Sequence, residues 1–276
     1  MLKTKIILSS AVLFNISGAS LATDLVNYRA VYDLEPTHID QGVKAQPIDG
    51  KLAYEVAGSD CLGWTVTSDL INRTSEQEMG FRVSESKSRS YESGDGLSMT
   101  VSQQELLNDR LSEDDEIKVQ RTTTSDEAKG SMSGSKKLEF TLAPDLIFPT
   151  QHQKHLLAAA AKGETHDVSQ VYDGSDGVKQ YRIITFIGPK RPPQEQAQPE
   201  LAGLSKLASW VFQLGYYSMD DIQADAPEFQ ATFIMYENGL STEMLFDYGN
   251  YAMKAKYSHM ELLPTPPCEA VVAKPQ

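Results

Sequence analysis

Runs of alternating apolar and polar residues, cut by turn-forming strings, decide what this chain can fold into. In Val26-Asn27-Tyr28-Arg29-Ala30-Val31-Tyr32-Asp33 one face carries Val26, Tyr28, Ala30 and Tyr32, the period of a half-buried strand. Similar runs recur at Lys51–Ala57, Gly63–Ile71, Gly80–Ser84, Ser88–Glu92, Leu97–Ser102 and Ile117–Thr123. They continue at Leu138–Leu142, Thr165–Tyr172, Lys179–Ile187, Val211–Tyr217, Phe229–Tyr236, Leu240–Tyr248 and Tyr251–Leu262. Ser93-Gly94-Asp95-Gly96, Asp173-Gly174-Ser175-Asp176-Gly177, Glu237-Asn238-Gly239 and Tyr248-Gly249-Asn250 supply the turns. Strands joined by short hairpins, without helices between them, make an antiparallel sheet rather than a βαβ one. About fourteen strands are too many for a small sandwich, so the pattern predicts an all-β fold with a wrapped or barrel-like sheet.

One segment breaks this period. Pro149–Gly163 is rich in Ala and Leu, with Thr150 as the expected N-cap, Lys162 in the last turn and Gly163 as the stop, and predicts a helix. A second, shorter helix is expected at Glu200–Ser209. Gly188–Pro199, with four prolines, predicts a polar loop, and Asn108–Glu116 an acidic, solvated tip. No repeat of fixed period occurs. Residues 23–276 are expected to form one domain.

The N-terminus carries its own signal. Lys3 and Lys5 precede an apolar stretch from Ile6 to Ile16, and Ser20-Leu21-Ala22 places small residues for a cut after Ala22, with Ala19 as second choice. The apolar run is shorter than the roughly 20 residues of a bilayer span. Residues 1–22 are therefore read as a secretory signal peptide, with no Cys after them for a lipid anchor. No transmembrane segment is expected in residues 23–276. A net charge of −13 argues against a nucleic-acid partner. Cys61 and Cys268, the only cysteines, exclude a four-thiolate metal site, and in an oxidising compartment they are expected to form a disulfide.

Four patterns invite a chemical reading. His152 and His155 stand at i and i+3 on the expected helix, a spacing for two metal ligands, with His38, His166 or His259 as candidate third ligands. The helix itself offers no nearby carboxylate or thiolate as third ligand, so both are read as structural. Asp173-Gly174-Ser175-Asp176-Gly177 hints at calcium but lacks the ligand at position 5, so a turn accounts for it. Ser84–Lys87 and Ser133–Lys136 match S-x-x-K without the accompanying S-D-N and K-T-G strings and lie in strand or turn regions. Tyr216, Tyr217, Phe229, Phe233, Tyr236, Phe246, Tyr248 and Tyr251 have the spacing of an ordinary sheet core, or of a lipid cavity lining. No catalytic, metal-binding or cofactor-binding residue is assigned.

Several strings together carry a resemblance. They are Tyr28-Arg29-Ala30-Val31-Tyr32-Asp33-Leu34, Gly58-Ser59-Asp60-Cys61-Leu62-Gly63-Trp64, Phe148-Pro149-Thr150-Gln151-His152, Tyr172-Asp173-Gly174-Ser175-Asp176, and Cys268 after a Pro-rich turn. In this order they resemble the EipB family of exported cell-envelope integrity proteins, across about residues 24–270; Trp64 stands where Tyr is expected. The resemblance implies a periplasmic protein folded as a broken β-spiral of about fourteen strands, similar to lipoprotein carriers, with a disulfide that maps onto Cys61 and Cys268. It implies a non-enzymatic role in envelope integrity, without cofactor. Protein–protein interaction, with a periplasmic tetratricopeptide-repeat protein as suggested partner, is the expected mode. The alternative is a carrier of lipid or lipoprotein acyl chains.

Overall fold

Fourteen strands build one antiparallel sheet in the computed structural model, which describes residues 25–76, 80–195, 199–221 and 223–268; the expected signal peptide lies outside the described residues. The first eight are β1 (Tyr28–Ile39), β2 (Ala45–Ser59), β3 (Gly63–Glu76), β4 (Gly80–Glu92), β5 (Ser98–Leu107), β6 (Arg110–Gln120), β7 (Ala128–Gly134) and β8 (Leu138–Leu142). Helix α1 (Pro149–Lys162) follows. The remaining six are β9 (His166–Val171), β10 (Tyr181–Ile187), β11 (Ser209–Ser218), β12 (Phe229–Tyr236), β13 (Ser241–Asp247) and β14 (Tyr251–Leu262). The expected short helix is a 3-10 helix, Pro199–Lys206.

The strand order is β8-β7-β6-β5-β4-β3-β2-β1-β14-β13-β12-β11-β10-β9. The chain thus starts in mid-sheet, meanders outward to β8, crosses through α1 to the opposite edge and meanders back. β14 closes against β1 in a ladder from Tyr28↔Leu262 to Ile39↔Tyr251. β8 and β9 stay unpaired to each other, so the barrel is broken; Ile147, just ahead of α1, instead bridges Val171 at the end of β9. The sheet therefore winds past its own edge.

Alternation gives the sheet an apolar concave face that packs on α1. The larger core joins Tyr32, Leu156, Leu157, Ile183 and Phe212, and the smaller one joins Met99, Ile117, Leu142, Leu146, Phe148 and Tyr172. Burying each such side chain contributes roughly 1.5–3 kcal/mol. Gly94 brings the β4–β5 turn onto the β2–β3 turn: a Cβ there would lie 1.7 Å from the Asp60 carbonyl oxygen. Gly174, at φ +71, presses the loop after β9 onto Val101 of β5.

Two readings are corrected. The acidic stretch Asn108–Glu116 is a turn at Asn108 and Asp109, both at positive φ, running into β6. Its acidic side chains are mostly on the solvent face, while Asp115 turns inward and takes the Ser135 N–H at 2.6 Å. The two runs at Gly80–Ser84 and Ser88–Glu92 are one strand, β4, and β7 had no counterpart among the expected runs.

Candidate functional site

The site is built around α1, which fills the concave side of the sheet. Gly163 ends the helix in the left-handed region, with N–H bonds from Gly163 and Glu164 to the Ala160 and Ala159 carbonyls. The N-terminus departs from expectation: Phe148, not Thr150, is the N-cap, and its side chain caps nothing. Thr150 lies inside the first turn, and its N–H and hydroxyl donate to the Glu92 carboxylate from the end of β4. Glu92 is 1% exposed, and burial pushes its carboxyl up to about 7 against the downward pull of Thr150, Gln151 N–H and Lys154. One turn further, Lys154 pairs with Asp60, which also takes the Trp64 indole N–H at 3.0 Å, and the ammonium lies 4.9 Å over the Trp64 ring. Helix α1 is thus clamped to two neighbouring turns of the sheet.

Between the helix and the sheet is a cavity of about 340 Å³. Thr150, His152, Gln153 and Leu156 line it from α1, and Tyr28, Tyr32, Tyr54, Ile183, Leu214 and Ala231 from the sheet. Four of the eight C-terminal aromatics line it too: Tyr216, Phe229, Phe233 and Phe246. Tyr248, 5.0 Å from Phe229, and Tyr251, 4.7 Å from Tyr248, extend the stack, whereas Tyr217 carries Arg182 over its ring. The expectation of an ordinary sheet core thus holds for only part of this set. Burial keeps the cavity phenols protonated, with Tyr54 pushed up to about 12 and Tyr28, Tyr32 and Tyr216 also raised. The Tyr32 hydroxyl donates to the Ser241 carbonyl at 2.7 Å, and Gln153 Nε2 to the Gly239 carbonyl at 2.7 Å. An apolar volume with a few fixed polar groups is the form of a small-molecule site.

The two helix histidines diverge. His152 is buried, its Nε2 has no hydrogen-bond partner, and burial lowers its pKa to about 4, so it is a neutral imidazole. His155 Nε2 lies 2.8 Å from Asp167 Oδ1 on β9. A carboxylate therefore does stand beside the pair, supplied by β9 rather than by the helix. It is committed elsewhere: burial raises Asp167, but Ser169 and His155 outweigh that and hold it below the usual carboxylate range. Among the described residues no group of three His, Cys, Asp or Glu is arranged to hold a metal. His38 pairs with Asp40, and His166 and His259 are exposed on β9 and β14.

The remaining patterns resolve into local structure. On a strand, positions i and i+3 project to opposite faces, so Ser84 and Lys87 of β4 cannot form a dyad. Ser133 lies at the end of β7, three residues before Lys136 in a turn. Asp173 Oδ1 accepts the Ser175 N–H and hydroxyl, and Gly174 and Gly177 take positive φ, which makes the acidic string a turn. Cys61 and Cys268 are joined, with Cα atoms 5.7 Å apart.

An unclosed antiparallel barrel wound round one helix, with a cavity between them, defines a β-barrel-like scaffold. The EipB-like family model matches residues 19–264, and the chain belongs to that family. Cell envelope integrity protein EipB of Brucella abortus (strain 2308) is 24% identical over 251 residues, covering 90% of this chain and 88% of the relative. A crystal structure described as a beta-barrel-like protein of a domain of unknown function, from Brucella abortus, superposes with a TM-score of 0.80. It is 22% identical and covers 87% of this chain and 99% of its own. No helix among the described residues is long and apolar enough to cross a membrane.

Proposed function

We propose that this protein supports cell envelope integrity in the periplasm without catalysis, by holding an acyl chain of a lipid or lipoprotein in the cavity beside α1. Family membership supports the envelope role, since the Brucella relative bears that name. The observation that carries the binding mode is the 340 Å³ cavity lined by Tyr32, Leu156, Phe229, Phe233 and Phe246, at the lower end of the range for ligand sites. Native mass spectrometry of protein purified from periplasm tests it: a stoichiometric lipid adduct is expected, and a bare chain mass under conditions that preserve lipid adducts would overturn it.

A second reading, a docking surface for another envelope protein such as the tetratricopeptide-repeat partner implied by the resemblance, is favoured by the outer face of β9 and β10. There Val168 and Phe186 are 59% and 61% exposed on the last two strands of the sheet. Crosslinking from Val168 replaced by a photoreactive residue would capture that partner.

A further inference from the structure

We propose that the amphiphile in this cavity carries an uncharged, hydroxyl-rich headgroup, a glycolipid in chemical class. The inference rests on the acyl-chain reading above. Asp173 is the one formally charged side chain among the lining residues, and no Lys or Arg is among them. An anionic head would be drawn beside that carboxylate with no cation to compensate, the costly arrangement for charge removed from water.

The sheet register then supplies a complement for hydroxyls. Ser68 lines the cavity and faces Ser88 across the β3–β4 ladder; Ser88 faces Gln103 across β4–β5. On the rows beyond, Leu70 faces Ser86, and Asn72 faces Ser84. Side chains two apart share a face, so Ser68, Asn72, Ser84, Ser86, Ser88 and Gln103 all lie on the face that bounds the cavity, and all are half-buried. Gln103 Nε2 donates at 3.3 Å to the Ser175 carbonyl, on the same loop as Asp173. Beside the cavity this face is thus mainly a shelf of hydroxyl and amide groups, each able to donate and to accept; Glu105 faces Ser86 on it, and at its far end Arg82 is paired with Glu76. Sugar hydroxyls match such a shelf; a phosphate, which only accepts, finds no ammonium or guanidinium among the lining groups. Across the cavity, Tyr216 and Phe229 pack 5.2 Å apart as an apolar wall.

Three amphiphiles with one dodecyl chain and different heads separate the alternatives: dodecyl maltoside, dodecyl phosphate and dodecyltrimethylammonium. Each is titrated below its micelle concentration against the full chain loaded with the fluorescent probe N-phenyl-1-naphthylamine. The maltoside is expected to displace the probe at least tenfold more tightly than the phosphate. Asp173→Asn, which keeps the side-chain turn to Ser175, should narrow that ratio severalfold by strengthening the phosphate alone. Ser68→Val with Ser88→Val should weaken only the maltoside. Equal displacement by all three, or preference for the phosphate or the ammonium, would overturn the headgroup inference and leave the acyl-chain reading intact. If no amphiphile displaces the probe, and the cavity-filling Ala231→Phe, with unchanged melting, leaves probe binding unaltered, the acyl-chain reading itself fails and this inference with it.

Discussion

Glu92 accepts the Thr150 backbone N–H with both carboxylate oxygens, at 3.0 Å each, and the Thr150 hydroxyl at 2.9 Å, across 58 positions of sequence. The N-terminus of α1 is thus capped from a strand end rather than by its own neighbours. A carboxylate in that position complements the partial positive charge of the first helical turn. It is also removed from water, and removal dominates: its carboxyl sits at about 7 rather than 4.5.

That balance gives a pH-dependent prediction. A carboxyl raised in the fold contributes stability that is fully present below its unfolded value of 4.5 and is lost as pH rises through about 7. His152 behaves oppositely. Its imidazole is lowered from 6.5 to about 4, so its contribution is present above 6.5 and lost as pH falls towards 4. Each amounts to on the order of 3 kcal/mol at full extent, and across pH 4.5–6.5 the two nearly cancel. Urea unfolding at several pH values should show a flat wild-type profile over that span from this pair. Glu92→Gln should turn it into a rise with pH and His152→Gln into a fall. Variants whose profiles run parallel to wild type would refute the assignment.

Arg121 offers a test of how α1 is seated. It is 9% exposed and stacks 5.0 Å over the Phe148 ring. Its Nε and Nη2 donate to the Gly96 carbonyl at 2.9 and 2.8 Å, and its Nη1 to the Thr124 carbonyl at 3.0 Å and to the Leu146 carbonyl. One guanidinium therefore ties β6 to the β4–β5 turn and to the approach to α1. Arg121→Lys keeps the charge but loses the fork, and should cost about 2–4 kcal/mol in urea unfolding, since buried carbonyls lose their donors. A cost below 0.5 kcal/mol would show that water takes over those bonds.

A third expectation concerns metal. His155 is engaged with Asp167, His152 Nε2 is buried without a hydrogen-bond partner, and among the described residues no group of three His, Cys, Asp or Glu is arranged to hold a metal. Elemental analysis of His152→Ala with His155→Ala should match the parent. About one zinc per parent chain, lost in the double variant, would contradict the geometry.

The sheet was legible where alternation carries apolar residues, as in Tyr28–Tyr32 or Phe229–Tyr236, and obscure where it does not. The inward positions of β4 are Ser84, Ser86, Ser88 and Ser90, so its middle gave no apolar signal and the strand divided in two. In β7 the buried positions are Ala128, Gly130 and Met132, two of them too small to register, although Gly130 is where the Phe140 ring packs. The first half of β6 was obscured because acidic residues fill both of its faces, with Glu113 and Asp115 in the inward row of Ile117. The helix was plain from Ala and Leu propensity, but its cap was not, because Glu92 arrives through tertiary folding. The cavity was unreadable for the same reason: its walls come from eight strands and α1, brought together only by the β1–β14 closure.

That closure decides what the disulfide should do. Cys61 sits in the β2–β3 turn and Cys268 six residues beyond the end of β14, with 207 positions between them. β14 is already held along β1 by its ladder, so the sheet does not depend on the bridge. The tail after β14 is held separately. Leu263 N–H donates to the Asn27 carbonyl at 2.8 Å, and Asn27 Nδ2 to the Pro264 carbonyl at 3.3 Å. Asn27 Oδ1 in turn accepts the Gly58 N–H at 3.0 Å, beside the turn that carries Cys61. The disulfide and buried Asn27 thus pin one tail to one turn. Restricting the unfolded chain over so long a loop is worth about 5 kcal/mol at most in the chain-entropy model. Cys61→Ser or Cys268→Ser should therefore lower stability by roughly 2–5 kcal/mol while the sheet survives. Asn27→Ala should add to that loss non-additively, because both act on the same segment. Thermal melting with and without reductant, beside thiol titration under denaturing conditions, measures both. Two titratable thiols in the non-reduced protein, or a melting point indifferent to reductant, would sink the assignment. Loss of the far-ultraviolet β signal on reduction would instead show that the β1–β14 ladder needs the bridge.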